Sequence, residues 1–301
     1  MKIVDAHHHL WNQAQHPRAW LTHPVDHIVG DYNAIRGNYL IDDFHRDADG
    51  SGYELVKSVH VEAAWGATPD PADETAWLQT IADTPGSRGM PHAIIAHANL
   101  LDPEVESLLQ RHCTHSNMRG IRQMLNHSAD TPGLNFIDRG DVMQDPQWRR
   151  GYATLKKLNL SFDLQIWPWQ LEAAAELVGR FPEIPVILNH TGMPLADDFV
   201  SWKQWAIGMD RLAEFEHVAV KISGLGMARK TWTVETIRPY VEGTLERFGI
   251  DRCMFASNFP VDCISSDYAR IWSAFDAIAI RYSEGERQKL FHTNAERIYR
   301  I

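Results

Sequence analysis

Basic residues are in short supply: 29 Lys and Arg stand against 39 Asp and Glu, for a formal net charge of −10. That deficit argues against nucleic acid and anionic membrane surfaces as partners. Cysteine is rarer still. Cys113, Cys253 and Cys263 form no C-x-x-C pair, so neither a disulfide framework nor a structural zinc cluster is indicated. No window approaches the roughly 18 apolar residues of a membrane span, and the start Met1-Lys2-Ile3-Val4-Asp5 has no apolar leader. A reducing cytoplasm is therefore the expected location. The glycine and nucleophile signatures are missing as well. There is no P-loop and no G-x-S-x-G elbow, and Gly224-Leu225-Gly226 is followed by Arg229 where a dinucleotide-binding loop needs its third glycine. No internal repeat is visible.

What is present fits a globular chain of 301 residues, 44% hydrophobic and 23% charged. Short apolar runs recur at intervals of about 25–40 residues, each usually followed by a stretch of helical spacing. They are Lys2–His9, Leu55–Glu62, His92–Asn99, Met118–Met124, Leu160–Ile166, Val186–His190, Val218–Ser223 and Cys253–Ser257. Helices are predicted from Asp73, Glu104, Pro146, Trp169, Trp202, Val234 and Ser266. This alternation predicts an α/β fold, a closed (β/α)8 TIM barrel in one domain over residues 1–301, with an open doubly wound sheet as the alternative. Leu10 to Asp49 and Leu125 to Asp145 break the alternation. They read as long loops after strands 1 and 4, on the face where barrel sites lie, or else as surface decoration.

The first run carries the most chemistry. Strict alternation along a strand would turn Asp5, His7 and His9 to one face and His8 to the other. Two imidazoles about 7 Å apart on an inward face can converge on one ion or one activated water. Other runs also turn polar at their ends. The second ends His60-Val61-Glu62, the fourth carries Arg122, and the fifth carries Asp163 and Gln165. The sixth reaches His190, the seventh gives Lys221 and Ser223, and the eighth leads through Asn258 to Asp262. His190 is the natural third imidazole beside His7 and His9. Three neutral imidazoles suffice for catalytic zinc, so one divalent ion on His7, His9 and His190 and a metal-free site both stay open. Arg122 in a partly desolvated cavity requires an anion: a substrate carboxylate, a developing oxyanion, or a structural ion pair with Glu62. His60, Glu62, Gln165 and Trp167 complete the expected substrate contacts. Trp65, Trp167 and Trp169 form either an apolar wall for a small ring or ordinary core, and the many tryptophans permit a homodimer.

The chain resembles the amidohydrolase superfamily, in particular its branch of lactone hydrolases acting on sugar-acid lactones and on pyrone dicarboxylate. The matching motifs are Val4-Asp5-Ala6-His7-His8-His9-Leu10-Trp11, His60-Val61-Glu62-Ala63, Gly120-Ile121-Arg122-Gln123, Asn189-His190-Thr191-Gly192-Met193-Pro194, Lys221-Ile222-Ser223-Gly224-Leu225 and Phe255-Ala256-Ser257-Asn258-Phe259-Pro260-Val261. The resemblance implies a barrel whose site combines the strand-one histidines, the strand-six histidine and an aspartate after strand eight that takes a proton from water, with or without a divalent metal. Asn258 stands in the place of that aspartate. An amide cannot serve as a general base near neutral pH. Either Asp262 or Glu62 supplies the carboxylate, or His190 or His60 takes the proton while Asn258 orients water, or hydrolysis is lost. The expected activity is hydrolysis of a small polar lactone, placed in carbohydrate metabolism, with Arg122 on the substrate carboxylate or the oxyanion. The alternatives are a nonoxidative decarboxylase on the same scaffold, against which His7 speaks, and a non-catalytic protein that binds a small acid.

Overall fold

The computed structural model describes residues 1–23, 25, 28–64, 70–195 and 198–301. Trp65 lies outside the described residues. The strands are β1 (Lys2–His8), β2 (Glu54–Val61), β3 (Ala93–His97), β4 (Met118–Met124), β5 (Ser161–Gln165), β6 (Val186–Leu188), β7 (Val218–Ile222) and β8 (Cys253–Phe255). They form one 8-stranded sheet in sequential order, each paired parallel to the next. The sheet closes where His9 N donates to Phe259 O (2.7 Å) and Asn258 N donates to His7 O (2.8 Å). This is the (β/α)8 barrel that the apolar runs predict.

Around it lie α1 (Ala19–Thr22), α2 (Ile41–Asp49), α3 (Ala72–Ala82), α4 (Val105–His112), α5 (Pro146–Lys157) and α6 (Leu171–Arg180). They are followed by α7 (Phe199–Ala213), α8 (Val234–Phe248), α9 (Tyr268–Ala279), α10 (Glu284–Gln288) and α11 (Asn294–Tyr299). Capping explains several starts. Asp145 accepts from Gln147 N (2.7 Å) and Trp148 N (3.3 Å) ahead of Pro146, and Asp198 accepts from Val200 N and Ser201 N. The second cap moves the start of α7 three residues ahead of the expected Trp202, because the cap and not the apolar period decides where the helix begins. No helix is expected between β1 and β2, yet α2 lies there. It buries little beyond Phe44, His45 and Ala48, and Leu40 N is held by the Asp43 carboxylate at 2.9 Å. Among the described residues no helix is long and apolar enough to cross a membrane.

The lower barrel interior is filled mostly by Val4, Ala6, Val59, Val61, Ile95, Ile187, Met254 and Ala256, and α11 plugs its base with Tyr299. The segments after β1 and β4 both reach the opposite mouth. Buried Arg18 staples the first by pairing with Glu74 (2.7 Å) and donating to Ala63 O (3.1 Å) and Leu10 O (3.2 Å).

Candidate active site

Residues around the mouth owe their placement to an irregularity in β1. Asp5 pairs with Ser58 and His8 with His60, so three steps along β1 match two along β2. The extra residue is a β-bulge, and it shifts the phase of the strand. Ile3 faces the helices while Val4 and Ala6 face the barrel interior; beyond the bulge His7 and His9 face inward. Asp5 therefore does not share their face, contrary to strict alternation. It lies against α9, where its carboxylate accepts from Ser257 N (2.9 Å) and Tyr268 Oη (3.0 Å). Burial raises Asp5 to about 6 against those bonds. His8 faces out, stacked on Phe44 with centroids 4.1 Å apart, and burial lowers it to about 3.

Inside, the His7 ring lies 5.0 Å from that of His9 and 4.5 Å from that of His190. The three expected imidazoles thus meet. His190 follows β6 in a left-handed turn (φ 54°) continued by Thr191 (φ 58°), a strained backbone pinned by Trp205 Nε1 on Thr191 O at 2.7 Å. Its Nδ1 lies 3.0 Å from Ser223 Oγ. Nε2 is then the ring's other hydrogen-bonding atom. Gly224 (φ +63°) lets the chain after β7 pass beside this ring; a Cβ there would sit 2.6 Å from His190 Nδ1. Burial, then Arg122, His9 and Lys221, hold His190 well below the ordinary histidine value, and burial does the same first for His7 and His9.

Arg122 is tied down on several sides. Its Nε donates to Glu62 Oε1 (2.8 Å), Nη1 to Gln165 Oε1 (2.8 Å), and Nη2 to the Glu62 carbonyl. Of the options open for Arg122, the ion pair with Glu62 is formed, with both side chains buried. Burial pushes the Glu62 carboxyl up, but Arg122 and the Ala64 amide outweigh it and hold it below the ordinary value. Beneath Arg122 runs a polar column. Asn189 Oδ1 lies 3.5 Å from Arg122 Nη1, Asn189 Nδ2 donates to Asp163, and Asp163 meets Lys221 Nζ (2.6 Å) and Tyr299 Oη (3.0 Å). Burial lowers Lys221 to about 8 in spite of Asp163. Tyr299 carries no helical or strand-end pattern that marks it in the sequence.

Asn258 is also left-handed (φ 59°), a conformation asparagine tolerates. Its Oδ1 lies 3.3 Å from His9 Nε2, and its Nδ2 donates to Asp262 Oδ1 at 3.2 Å. Asp262 is thus held behind Asn258, and burial raises it to about 7. His60 is displaced from the place expected for it. Val59 and Val61 take the inner face of β2, leaving His60 beside His8 with Nε2 3.4 Å from Leu10 O. Trp167 is fully buried behind Phe136 and donates to Leu134 O (2.9 Å), while Trp169 is 39% exposed and donates to His127 O. These two tryptophans back or flank the cavity without lining it.

One divalent ion on His7, His9 and His190 is an option the sequence leaves open. Among the described residues no three His, Cys, Asp or Glu side chains come together as a metal-ligand group. The bonding shows why. His7 Nε2 lies 3.5 Å from the Arg122 guanidinium, which sets a fixed positive charge beside the point where the rings converge. This arrangement does not fit such an ion.

The cavity itself measures about 880 Å³ counted to its open mouth. Its floor is His9, Arg122, Gln165, His190 and Asn258, and its wall includes Met124, Phe136, Met193 and Met227. A closed barrel with imidazoles, an amide and an arginine around one such cavity has the form of an enzyme of the barrel class. The chain belongs to the amidohydrolase family, whose profile matches residues 4–301. The uncharacterized protein y4mH of Sinorhizobium fredii is 44% identical over 300 residues, covering 99% of this chain and 98% of that one. An L-fucono-1,5-lactonase of Burkholderia multivorans is 25% identical over 310 residues, covering 99% and 96%. The crystal structure of an amidohydrolase from Burkholderia multivorans with bound zinc matches at a TM-score of 0.81 and 25% identity, with 100% of each chain covered.

Proposed function

We propose that this protein is a lactone hydrolase in which His190 is the general base. The carrying observation is that His190, Arg122 and Asn258 converge on one cavity while, among the described residues, the carboxylates near it are engaged elsewhere: Glu62 on Arg122, Asp163 on Lys221, Asp262 on Asn258. Ser223 accepts from His190 Nδ1–H, which leaves the Nε2 lone pair free for a water oriented by Asn258. As that water attacks the ring carbonyl, its proton passes to Nε2 and Arg122 stabilises the tetrahedral oxyanion. The ring C–O bond then breaks. Burial and the nearby Arg122 disfavour the imidazolium, so it returns the proton to the departing alkoxide, giving the hydroxy acid. Esters suit this site because an alkoxide leaves with less general-acid help than an amide nitrogen requires. The L-fucono-1,5-lactonase relative supports the reaction class.

A panel of lactones followed with a pH indicator tests the reading. His190→Ala is expected to lower kcat by roughly 10²–10⁴-fold and Ser223→Ala by about tenfold. Turnover that survives His190→Ala removes this histidine from the mechanism. Release of CO₂ from an aromatic acid, with no lactone opened, assigns the protein to decarboxylation instead.

A further inference from the structure

We infer that the lactone opened here is an uncharged one bearing an alkyl or aryl substituent, seated against a methionine-rich wall; this rests on the lactonase reading above. Above the floor the cavity is bounded by Trp20, Met124, Phe136, Met193, Met227 and Val261. Most of these belong to a hydrophobic cluster at the barrel mouth, separate from the main core and shared with Trp11, Leu21, Tyr32 and Trp167. The Trp20 indole N–H is already spent on Ala63 O at 3.1 Å, so that ring offers the cavity carbon and not a donor.

The floor has little polar capacity left. Gln165 uses its Oε1 on Arg122 (2.8 Å) and its Nε2 on Asn126 Oδ1 (3.2 Å). Asn258 spends its Nδ2 on Asp262, and the one N–H of neutral His9 goes to Val61 O (2.7 Å), which leaves the His9 Nε2 lone pair and Asn258 Oδ1 as two acceptors 3.3 Å apart. What remains among the described lining residues is a set of acceptors for the attacking water, His190 Nε2 with His9 Nε2 and Asn258 Oδ1, the cavity-facing edge of Arg122 for one carbonyl, and the Asn135 amide on the wall. A polyhydroxylated ring would press its hydroxyls unpaired against sulfur and carbon, at a cost of roughly tenfold or more in affinity for each. Charge points the same way. Arg122 is neutralised by Glu62 and Lys221 by Asp163, so among the described residues no unpaired cation lines the cavity to receive a substrate carboxylate. Methionine adapts to irregular shapes, so the wall suits a range of substituents more than one rigid outline.

The test compares δ-valerolactone with its methyl-, propyl- and pentyl-substituted homologues and with glucono-δ-lactone, each corrected for spontaneous hydrolysis. The expected result is a rise in kcat/KM of roughly threefold to fourfold per added methylene over the first few, with glucono-δ-lactone below unsubstituted δ-valerolactone. Met227→Gln is expected to flatten that rise. A flat or falling series, or glucono-δ-lactone as the better substrate, overturns the proposed substrate class; if hydrolysis is still lost on His190→Ala, the lactonase reading stands without it. Should no lactone be opened, calorimetry with the same lactones and their hydroxy acids decides. Affinity that climbs with chain length retains the apolar preference and discards the lactonase reading, whereas affinity indifferent to chain length discards both.

Discussion

Replacing Arg122 with methionine separates what the guanidinium does for the fold from what it does for chemistry. Arg122 and Glu62 meet at 2.8 Å with side chains 3% and 0% exposed, so Arg122→Met strands a carboxylate in the barrel. Breaking one side of a buried pair costs roughly 3–5 kcal/mol, because the remaining charge loses its partner out of reach of water. At this chain length that corresponds to a fall of about 5–8 °C in Tm. Adding Glu62→Gln removes the stranded charge, and the double variant is expected to regain most of the lost stability. Turnover follows a different rule. If Arg122 holds the oxyanion, kcat falls by roughly 10²–10³-fold in the single variant and stays there in the double. Denaturant unfolding and the pH-indicator assay on the same preparations measure both quantities. A single variant within about 1 kcal/mol of the parent refutes the buried-pair argument, and a double variant that recovers turnover refutes the oxyanion role.

Stability should fall with acid. His7, His8, His9, His60 and His190 are all held below the ordinary histidine value, by burial first. On unfolding each binds a proton below about pH 6.5, so their contribution is present above that pH and is lost as pH falls. Asp5, Glu74 and Asp262, raised by burial to about 6, about 7 and about 7, oppose this, since the folded state holds their protons longer. His45, His92, His112 and His217 are lowered by burial as well, so the histidines outnumber the three acids, Tm is expected to drop between about pH 7 and pH 5, and a rise over that interval contradicts the argument. Asn258→Asp places a second carboxyl 3.2 Å from Asp262, and two so close cannot both ionise. A new ionisation near neutrality is expected in its pH–rate profile, with His190→Ala still crippling; rescue of His190→Ala by this change would move the base to position 258. Turnover is expected to persist after dialysis against a chelator with substoichiometric metal by elemental analysis, and activity regained only with zinc would show that the imidazoles regroup around an ion.

The strands were legible because a buried parallel sheet demands continuous apolar runs, and runs such as Pro185–Leu188 admit little else. Helix α2 was hidden for the opposite reason: Ile41-Asp42-Asp43-Phe44-His45-Arg46-Asp47-Ala48-Asp49 is mostly polar, and its packing on the barrel overrides the weak pattern. Chemistry-bearing residues could be named from strand ends, but their partners could not. Glu62 and Arg122 are 60 positions apart, and whether they pair or reach for substrate is a matter of distance that spacing does not encode. The orientation of Asp5 was misjudged because a bulge leaves no periodic trace. The methionine wall has no mark in the sequence, since Met124 ends β4 while Met193 and Met227 lie in the segments after β6 and β7, each unremarkable alone.

The bulge in β1 makes the histidine triplet behave like a word with a reading frame. Removing the extra residue, either Ala6 or His7, would restore plain alternation from Val4 to His9 and keep the ring stacked on Phe44 outside and His9 inside, whereas the same loss at His8 would shift the frame. Substitutions in this run are felt one side chain at a time. The bulge thus gives the run slack in length at one point only: two neighbouring side chains enter the mouth where a regular strand would send one, and either can be lost without turning the rest inside out.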